Sequence, residues 1–128
     1  MRTPKEKGQS IAELALLLPL LALILLGCLD LGRAFSVWVA LANGTREGAR
    51  YGSIEPDKAT MEAVTVEYIL AEGFSSDALT VEATPGGHGE PIRVWAGYRM
   101  PLVTLMLFGG QPVTITAQAQ MQVLSGGA

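Results

Sequence analysis

The longest hydrophobic stretch of the chain lies close to its N-terminus. The nineteen residues from Ile11 to Leu29 include one charged residue, Glu13. A helix of that length extends about 29 Å, which matches the roughly 30 Å hydrocarbon core of a bilayer. The pattern therefore predicts a transmembrane segment over residues 11–29, as part of a long N-terminal helix over residues 9–53.

The helical periodicity continues beyond the apolar stretch. Apolar and small side chains at steps of three and four residues predict one helix face that packs against the remainder of the chain. This face comprises Leu31, Ala34, Phe35, Trp38, Leu41, Ala42 and Thr45. Within the apolar stretch Pro19 removes one backbone donor, so we expect the helix to kink there.

Small residues recur at every fourth position of the same helix, at Cys28, Gly32, Ser36, Ala40, Gly44, Gly48 and Gly52. Such a row lets two helices approach closely, as in GxxxG motifs. Accumulation of glycines towards a helix end, with Gly52 as the cap, explains the pattern equally well. On the first interpretation Gly44, Gly48 and Gly52 are helix-packing residues, and the partner helix can belong to another subunit.

Residues 54–128 have the pattern of a small α+β domain. Asp57 predicts the N-cap of a second helix, which runs to about Glu72 before Gly73. The remaining segments are short, with turn residues between them. We therefore expect one further helix of ordinary length and a set of strands.

Three alternating runs predict an antiparallel sheet of roughly three strands. The first is Leu79–Thr84, and the second extends from Ile92 to Tyr98 beyond a loop rich in glycine and proline. The third run, from Val113 to Val123, alternates strictly and places threonine and glutamine on its polar face. The predicted fold class is α+β: a long N-terminal helix, a second helix and this sheet.

The apolar segment Pro101–Phe108 is too short to span a bilayer as a helix. Short apolar runs usually belong to a core, so we expect a buried turn of helix here. The alternative is an apolar surface that dips into the membrane or meets a partner.

Composition separates this chain from an ordinary soluble domain. Hydrophobic residues make up 49% and charged residues 16%, against about 25% charged residues in an average soluble domain. The net charge of −3 argues against nucleic-acid binding through bulk positive charge. The single histidine, His88, lies among glycines, and the single cysteine, Cys28, lies in the apolar stretch. We predict no enzyme activity and no catalytic, cofactor-binding or metal-binding residues.

Three common kinds of N-terminal segment fit the sequence only in part. A secretory signal peptide requires a cleavage site soon after the apolar stretch. The nearest A-x-A motif, at residues 40–42, lies within the helical pattern and does not suit this purpose. Leu25–Cys28 is a degenerate lipobox, with Cys28 as the residue that would be acylated. A plain single-pass anchor leaves Glu13 unexplained, since a carboxylate costs about 2.5–3.5 kcal/mol at the bilayer centre.

A glycine ends the basic leader formed by residues 1–8. The leader carries three basic residues and one acidic residue, which favours a cytoplasmic N-terminus. If the chain is cut after Gly8, the new α-amino group of Gln9 is a cation one helical turn from Glu13. In lipid these two charges can compensate each other, within one subunit or between neighbours. Glu13 is therefore a candidate assembly residue.

With these features the chain resembles the type IV prepilin signal and, more narrowly, the TadE-like pilins and pseudopilins of the tight-adherence (Tad/Flp) pilus system. The resemblance is carried by Gly8, Glu13, Pro19 and the segments Leu29–Phe35 and Thr45–Tyr51. It implies a pilin-like architecture and cleavage after Gly8 by a prepilin peptidase. It also implies a role for Glu13 in assembly of the pilus.

The resemblance further implies partners and a location. The expected partners are the prepilin peptidase, other pilin or pseudopilin subunits, the pilus assembly platform and membrane lipid, and no nucleic acid is expected. The expected location is the cytoplasmic (inner) membrane, crossed once with the N-terminus inside, with incorporation into an extracellular pilus as a further stage. The expected contribution is to pilus assembly or adhesion.

A function of another class remains open at this point. A single-pass membrane-anchored or lipidated module could bind a ligand outside the cytoplasm without joining a filament.

The charge of the chain also depends on processing. Residues 9–128 carry six basic and eleven acidic residues, so that removal of the leader changes the net charge from −3 to −5.

Overall fold

The N-terminal helix, α1, extends without interruption from Pro4 to Ile54. The computed structural model describes residues 4–87 and 89–123, so His88 lies outside the described residues. The 51 residues of α1 correspond to about 77 Å of helix. The helix is continuous through Pro19.

The two halves of α1 have different surroundings. All residues from Gly8 to Leu25 are exposed, including the large apolar side chains of the predicted membrane segment. From Leu26 onwards other parts of the chain begin to cover the helix. Thus α1 is a helix long and apolar enough to cross a membrane, and its second half is also the central element of a folded domain.

The second helix, α2, spans Lys58–Ala71. Asp57 caps its N-terminus, since the carboxylate accepts a hydrogen bond from the backbone N–H of Thr60 at 2.9 Å. At the other end Gly73 has a φ of 92°, a left-handed conformation that glycine adopts without strain. The predicted boundaries of this helix are confirmed.

A 3₁₀ turn, Ser76–Ala78, leads into a three-stranded antiparallel sheet. Strand β1 is Leu79–Thr84, β2 is Pro91–Met100 and β3 is Val113–Gln122. The strands lie in the order β1-β2-β3, with a short helix, α3 (Val103–Leu107), between β2 and β3. The predicted hairpin and third strand are confirmed, and with them the α+β fold class.

The core lies between the second half of α1, α2 and one face of the sheet. Its two clusters of buried residues are Val37, Leu41, Ile69, Ala96 and Met100, and Ala49, Met61, Ala83, Ile92 and Val94. The α1 residues in these clusters are of small or moderate size. The folded domain therefore lies directly against α1 and has no separate linker to it.

The predicted packing face of α1 is partly wrong. Leu41 and Thr45 are buried as expected, but Leu31, Phe35 and Trp38 are 72%, 64% and 46% exposed. The domain instead covers the later part of the row of small residues, from Ala40 to Gly52, where small side chains let α2 approach the helix axis closely. The large apolar side chains of Leu31, Phe35 and Trp38 lie outside this contact.

The prediction of a buried turn over Pro101–Phe108 is also wrong. Helix α3 forms there, but Met106, Leu107 and Phe108 are 63%, 63% and 76% exposed. A helix of five residues has too little surface to bury all of its apolar side chains against one neighbour. In the structure this segment forms an exposed apolar surface, as in the alternative interpretation of the sequence.

Candidate functional site

The predicted cleavage site lies in the exposed first turns of α1. Gly8 and Gln9 are both exposed, and a Cβ atom added to Gly8 would have no atom within 4 Å. The side-chain amide of Gln9 donates a hydrogen bond at 3.4 Å to the carboxylate of Glu13, which lies one helical turn further along α1. Gly8, Gln9 and Glu13 therefore lie within about 7.5 Å of helix axis, on a part of α1 that the folded domain leaves uncovered.

Glu13 lies on an apolar and solvent-accessible surface. Its neighbours Leu14, Leu16 and Leu17 are 58%, 78% and 53% exposed. Within the part of the chain that the structure describes, Gln9 is the hydrogen-bond partner of the Glu13 carboxylate, and this partner is a neutral amide. Among the described residues no hydrogen bond or ion pair joins the Glu13 carboxylate to a cation.

The second candidate set, Gly44, Gly48 and Gly52, faces α2 within the same chain. A Cβ on Gly44 would lie 2.6 Å from Ile69 Cγ1, and one on Gly52 would lie 2.6 Å from the Met61 sulfur. At Gly48 the added atom would overlap Thr65 Oγ1. These three glycines let α2 approach α1 closely, and their contacts are within one subunit.

The row of small residues divides where α2 ends. Gly44, Gly48 and Gly52 are buried beneath α2, whereas Cys28, Gly32 and Ser36 are exposed. A Cβ on Gly32 would have no atom within 4 Å. Only the exposed part of the row is therefore accessible to another helix.

Asp30 is a structurally important residue that the sequence reasoning did not single out. It is 4% exposed, and its Oδ1 atom accepts a hydrogen bond from the backbone N–H of Val103 at 2.9 Å. Its Oδ2 atom accepts from the backbone N–H and the hydroxyl of Thr104, at 2.8 and 2.6 Å. Asp30 thus fixes the start of α3 to α1, directly after the predicted membrane segment.

The signal for Asp30 in the sequence is weak because its partners are far away along the chain. Val103 and Thr104 follow it by 73 and 74 residues. The one local indication is a carboxylate immediately after a long apolar stretch, a position that usually indicates an exposed helix residue.

The charged residues near the end of α1 form a local pair. Arg50 Nε donates a hydrogen bond to Glu47 Oε2 at 3.0 Å, and both side chains are at least partly exposed. An exposed pair of this kind contributes little to stability. Among the described residues there is no group of three or more potential metal ligands.

The fold and the N-terminal segment together define a class of protein: one apolar helix long enough to cross a membrane, continuous with a small α+β domain. The family model described as "TadE-like protein" matches residues 8–50, about a third of the chain. The match begins at Gly8 and confirms the resemblance to the TadE-like family of the Tad pilus system. No curated protein and no solved structure matches the chain.

Proposed function

We propose that this protein is a TadE-like minor pilin or pseudopilin of a tight-adherence type IV pilus, processed by a prepilin peptidase and contributing to pilus assembly or adhesion. The observation that carries the proposal is the placement of Glu13. It lies one turn from Gln9, on an exposed apolar helix, in a segment that matches the family model from Gly8 onwards.

Processing would act on the peptide bond between Gly8 and Gln9. Water adds across this bond, which leaves a carboxylate on Gly8 and an α-amino group on Gln9. The leader of residues 1–8, with its net charge of +2, stays on the cytoplasmic side. Gly8 has no side chain, and its surroundings are open, so the peptidase can reach the bond without displacing other parts of the chain.

The new amino group supplies a cation to Glu13, whose hydrogen-bond partner among the described residues is the neutral amide of Gln9. A carboxylate in the apolar part of a bilayer is costly, and an isolated ammonium group is costly for the same reason. When the two pair, each reduces the desolvation penalty of the other. If the amino group comes from a neighbouring subunit, the pair also fixes the axial offset between the two helices.

The proposed partners follow from this mechanism. They are the prepilin peptidase, other pilin or pseudopilin subunits, the assembly platform and membrane lipid. In the proposed orientation the N-terminus is cytoplasmic and the α+β domain lies outside the cytoplasm. A mature charge of −5 favours neither nucleic acid nor any other polyanion as a partner. The proposal gives the chain no enzyme activity of its own.

Substitution of Glu13 tests the proposal. Glu13→Gln keeps the shape of the side chain but removes its charge, so we expect normal cleavage and an at least tenfold loss of the subunit from sheared filaments. Glu55→Gln is the control, since Glu55 is exposed beyond the end of α1. Incorporation of the Glu13→Gln chain at the wild-type level would contradict the proposed role.

The competing membrane-anchored or lipidated module predicts different products. A plain anchor would remain uncut, and a lipoprotein would begin at a diacylglyceryl-modified Cys28. Cys28 is exposed but lies in the middle of α1, two residues before the buried Asp30. Cleavage before Cys28 would also remove the segment that matches the family model between residues 8 and 27.

A further inference from the structure

We infer that α3 is a second membrane-contacting element, which inserts its apolar side chains into the lipid interface beside the point where α1 enters the bilayer. The inference rests on the membrane anchoring of α1 that belongs to the proposed function. It adds a contact that the family match does not include, since α3 lies outside residues 8–50.

The contact surface is an apolar pad formed by Leu105, Met106, Leu107 and Phe108. Their side chains are 37%, 63%, 63% and 76% exposed, the last value being one of the highest for any large apolar residue of the folded domain. Four adjacent exposed apolar side chains indicate a surface that binds another apolar phase. On α1, five residues and one residue before Asp30, the apolar side chains of Leu25 and Leu29 are 60% and 65% exposed.

The hydrogen bonds of Asp30 determine the level of the pad along α1. They hold the backbone of Val103 and Thr104 against the residue that directly follows the predicted membrane segment of residues 11–29. Helix α3 is only about 7.5 Å long. The headgroup region on each side of the hydrocarbon core has a similar thickness, about 5–7.5 Å. The whole of α3 is therefore close enough to this region to contact it.

Partial burial of Leu26 extends the same argument towards the membrane. Every residue from Ile11 to Leu25 is exposed, whereas Leu26 and Gly27 are partly covered. These two residues precede Asp30 by about one turn and lie on the same face of α1. The fully exposed stretch of α1 thus ends about one turn, or 5.4 Å, before Asp30, inside the predicted membrane segment.

Two arginines line a cleft next to the segment that leads into α3, as expected for a surface that meets anionic lipid. Arg33 and Arg99 line one cleft together with Met100 and Pro101, which lie three and two residues before the start of α3. The Arg33 side chain is 53% exposed, although it lies 3.7 Å from the Asp30 carboxylate, and Arg99 is exposed. Apolar side chains flanked by arginine are typical of elements that lie in the interface, since the arginines reach the headgroups. A lipid surface fits both the apolar pad and the arginines, because it offers an apolar interior and charged headgroups.

Spin labels on the full-length chain test the contact. In a Cys28→Ser background, single cysteines replace Phe108, Leu107, Ile54 or Leu21, and each labelled chain is reconstituted into vesicles of phosphatidylcholine and phosphatidylglycerol. Collision rates with oxygen report exposure to lipid, and those with a water-soluble nickel complex report exposure to water. Ile54 is the matched control: it is 76% exposed, as Phe108 is, but lies about 36 Å further along α1 than Asp30.

We expect an oxygen-to-nickel ratio at Phe108 and Leu107 that is several times the ratio at Ile54 and approaches the ratio at Leu21. Ratios at Phe108 and Leu107 equal to that at Ile54, with Leu21 in lipid, would overturn the inference and leave the membrane anchor intact. Low collision rates with both reagents at the pad would also overturn it, because they indicate a protein contact. A water-exposed Leu21 would overturn the membrane anchoring itself.

Discussion

Gly48 is the position in the contact between α1 and α2 that leaves the least room for a side chain. A Cβ there would overlap Thr65 Oγ1 and would lie 3.1 Å from the backbone carbonyl oxygen of Met61. Thr65 cannot simply rotate away, because it is buried and its hydroxyl donates a hydrogen bond to that same carbonyl at 2.8 Å. Glycine therefore serves a steric purpose at this position of α1.

Substitution of Gly48 by alanine should destabilise the fold. Overpacking in a core costs about 1–3 kcal/mol, and the better helix propensity of alanine offsets up to about 1 kcal/mol. We expect a net loss of about 1–2 kcal/mol, measured by denaturant unfolding in detergent micelles. Gly32→Ala is the control, since its Cβ meets open space, and it should raise the stability by about 0.5–1 kcal/mol.

A double substitution shows whether the steric contact is the cause. Thr65→Ala removes the oxygen that the new methyl group would overlap, so Gly48→Ala should cost less in that background than in the wild type. Equal costs in the two backgrounds, or a stabilising effect of Gly48→Ala alone, would contradict the account of this contact.

Among the elements, α2 depends on its N-cap. Asp57 accepts hydrogen bonds from the hydroxyl and the backbone N–H of Thr60, and these bonds lower the pKa of the Asp57 carboxyl below its usual value. Because the folded state then binds a proton less readily than the unfolded state, this contribution to stability is present at neutral pH. It is lost as the pH falls through the lowered pKa.

Two substitutions at Asp57 separate the cap from its charge. Asp57→Ala should lower the thermal midpoint by about 4–8 °C at neutral pH, since an N-cap is lost. Asp57→Asn retains a capping side chain and should match the wild type at neutral pH, but lose less stability in acid. Asp77→Ala, at an exposed acidic residue in the 3₁₀ turn, serves as the control. An unchanged midpoint for Asp57→Ala would contradict the role of the cap.

The sequence predicts those elements whose local signals agree. For α2 a capping residue, a periodic apolar face and a final glycine all give the same boundaries, and β1 follows from alternation alone. The buried face of α1 could not be predicted in this way, because steps of three and four residues fit several adjacent faces of one helix. Large apolar residues such as Phe35 favour one face by hydrophobicity, whereas close approach of α2 selects the face with the glycines.

The position of α3 illustrates a second limit. Its apolar composition is readily seen, but its position beside α1 depends on a hydrogen-bonded contact between Asp30 and Thr104, which are 74 residues apart. No local pattern contains that information. At the N-terminus the reverse holds: Gly8, Gln9 and Glu13 lie within six residues, so the candidate site could be recognised from sequence without knowledge of the fold.

At the scale of the whole molecule, the important feature is that the single helix α1 forms both the exposed apolar segment and the centre of the folded domain. The segment from Gly8 to Leu25 is uncovered, and the later part of α1 forms the centre of the folded domain. Since no flexible linker intervenes, the orientation of α1 in the membrane also sets the orientation of the domain. The proposed removal of residues 1–8 would change the start of this helix and would change the net charge from −3 to −5.

The intact mass of the chain extracted from membranes tests the central claim, that this protein is a processed pilus subunit, most directly. In cells with an active prepilin peptidase the account predicts a chain that begins at Gln9 and lacks residues 1–8, and in cells without the peptidase it predicts the full-length chain. An uncut chain in the presence of the active peptidase, or a product that begins at a lipid-modified Cys28, would contradict the account.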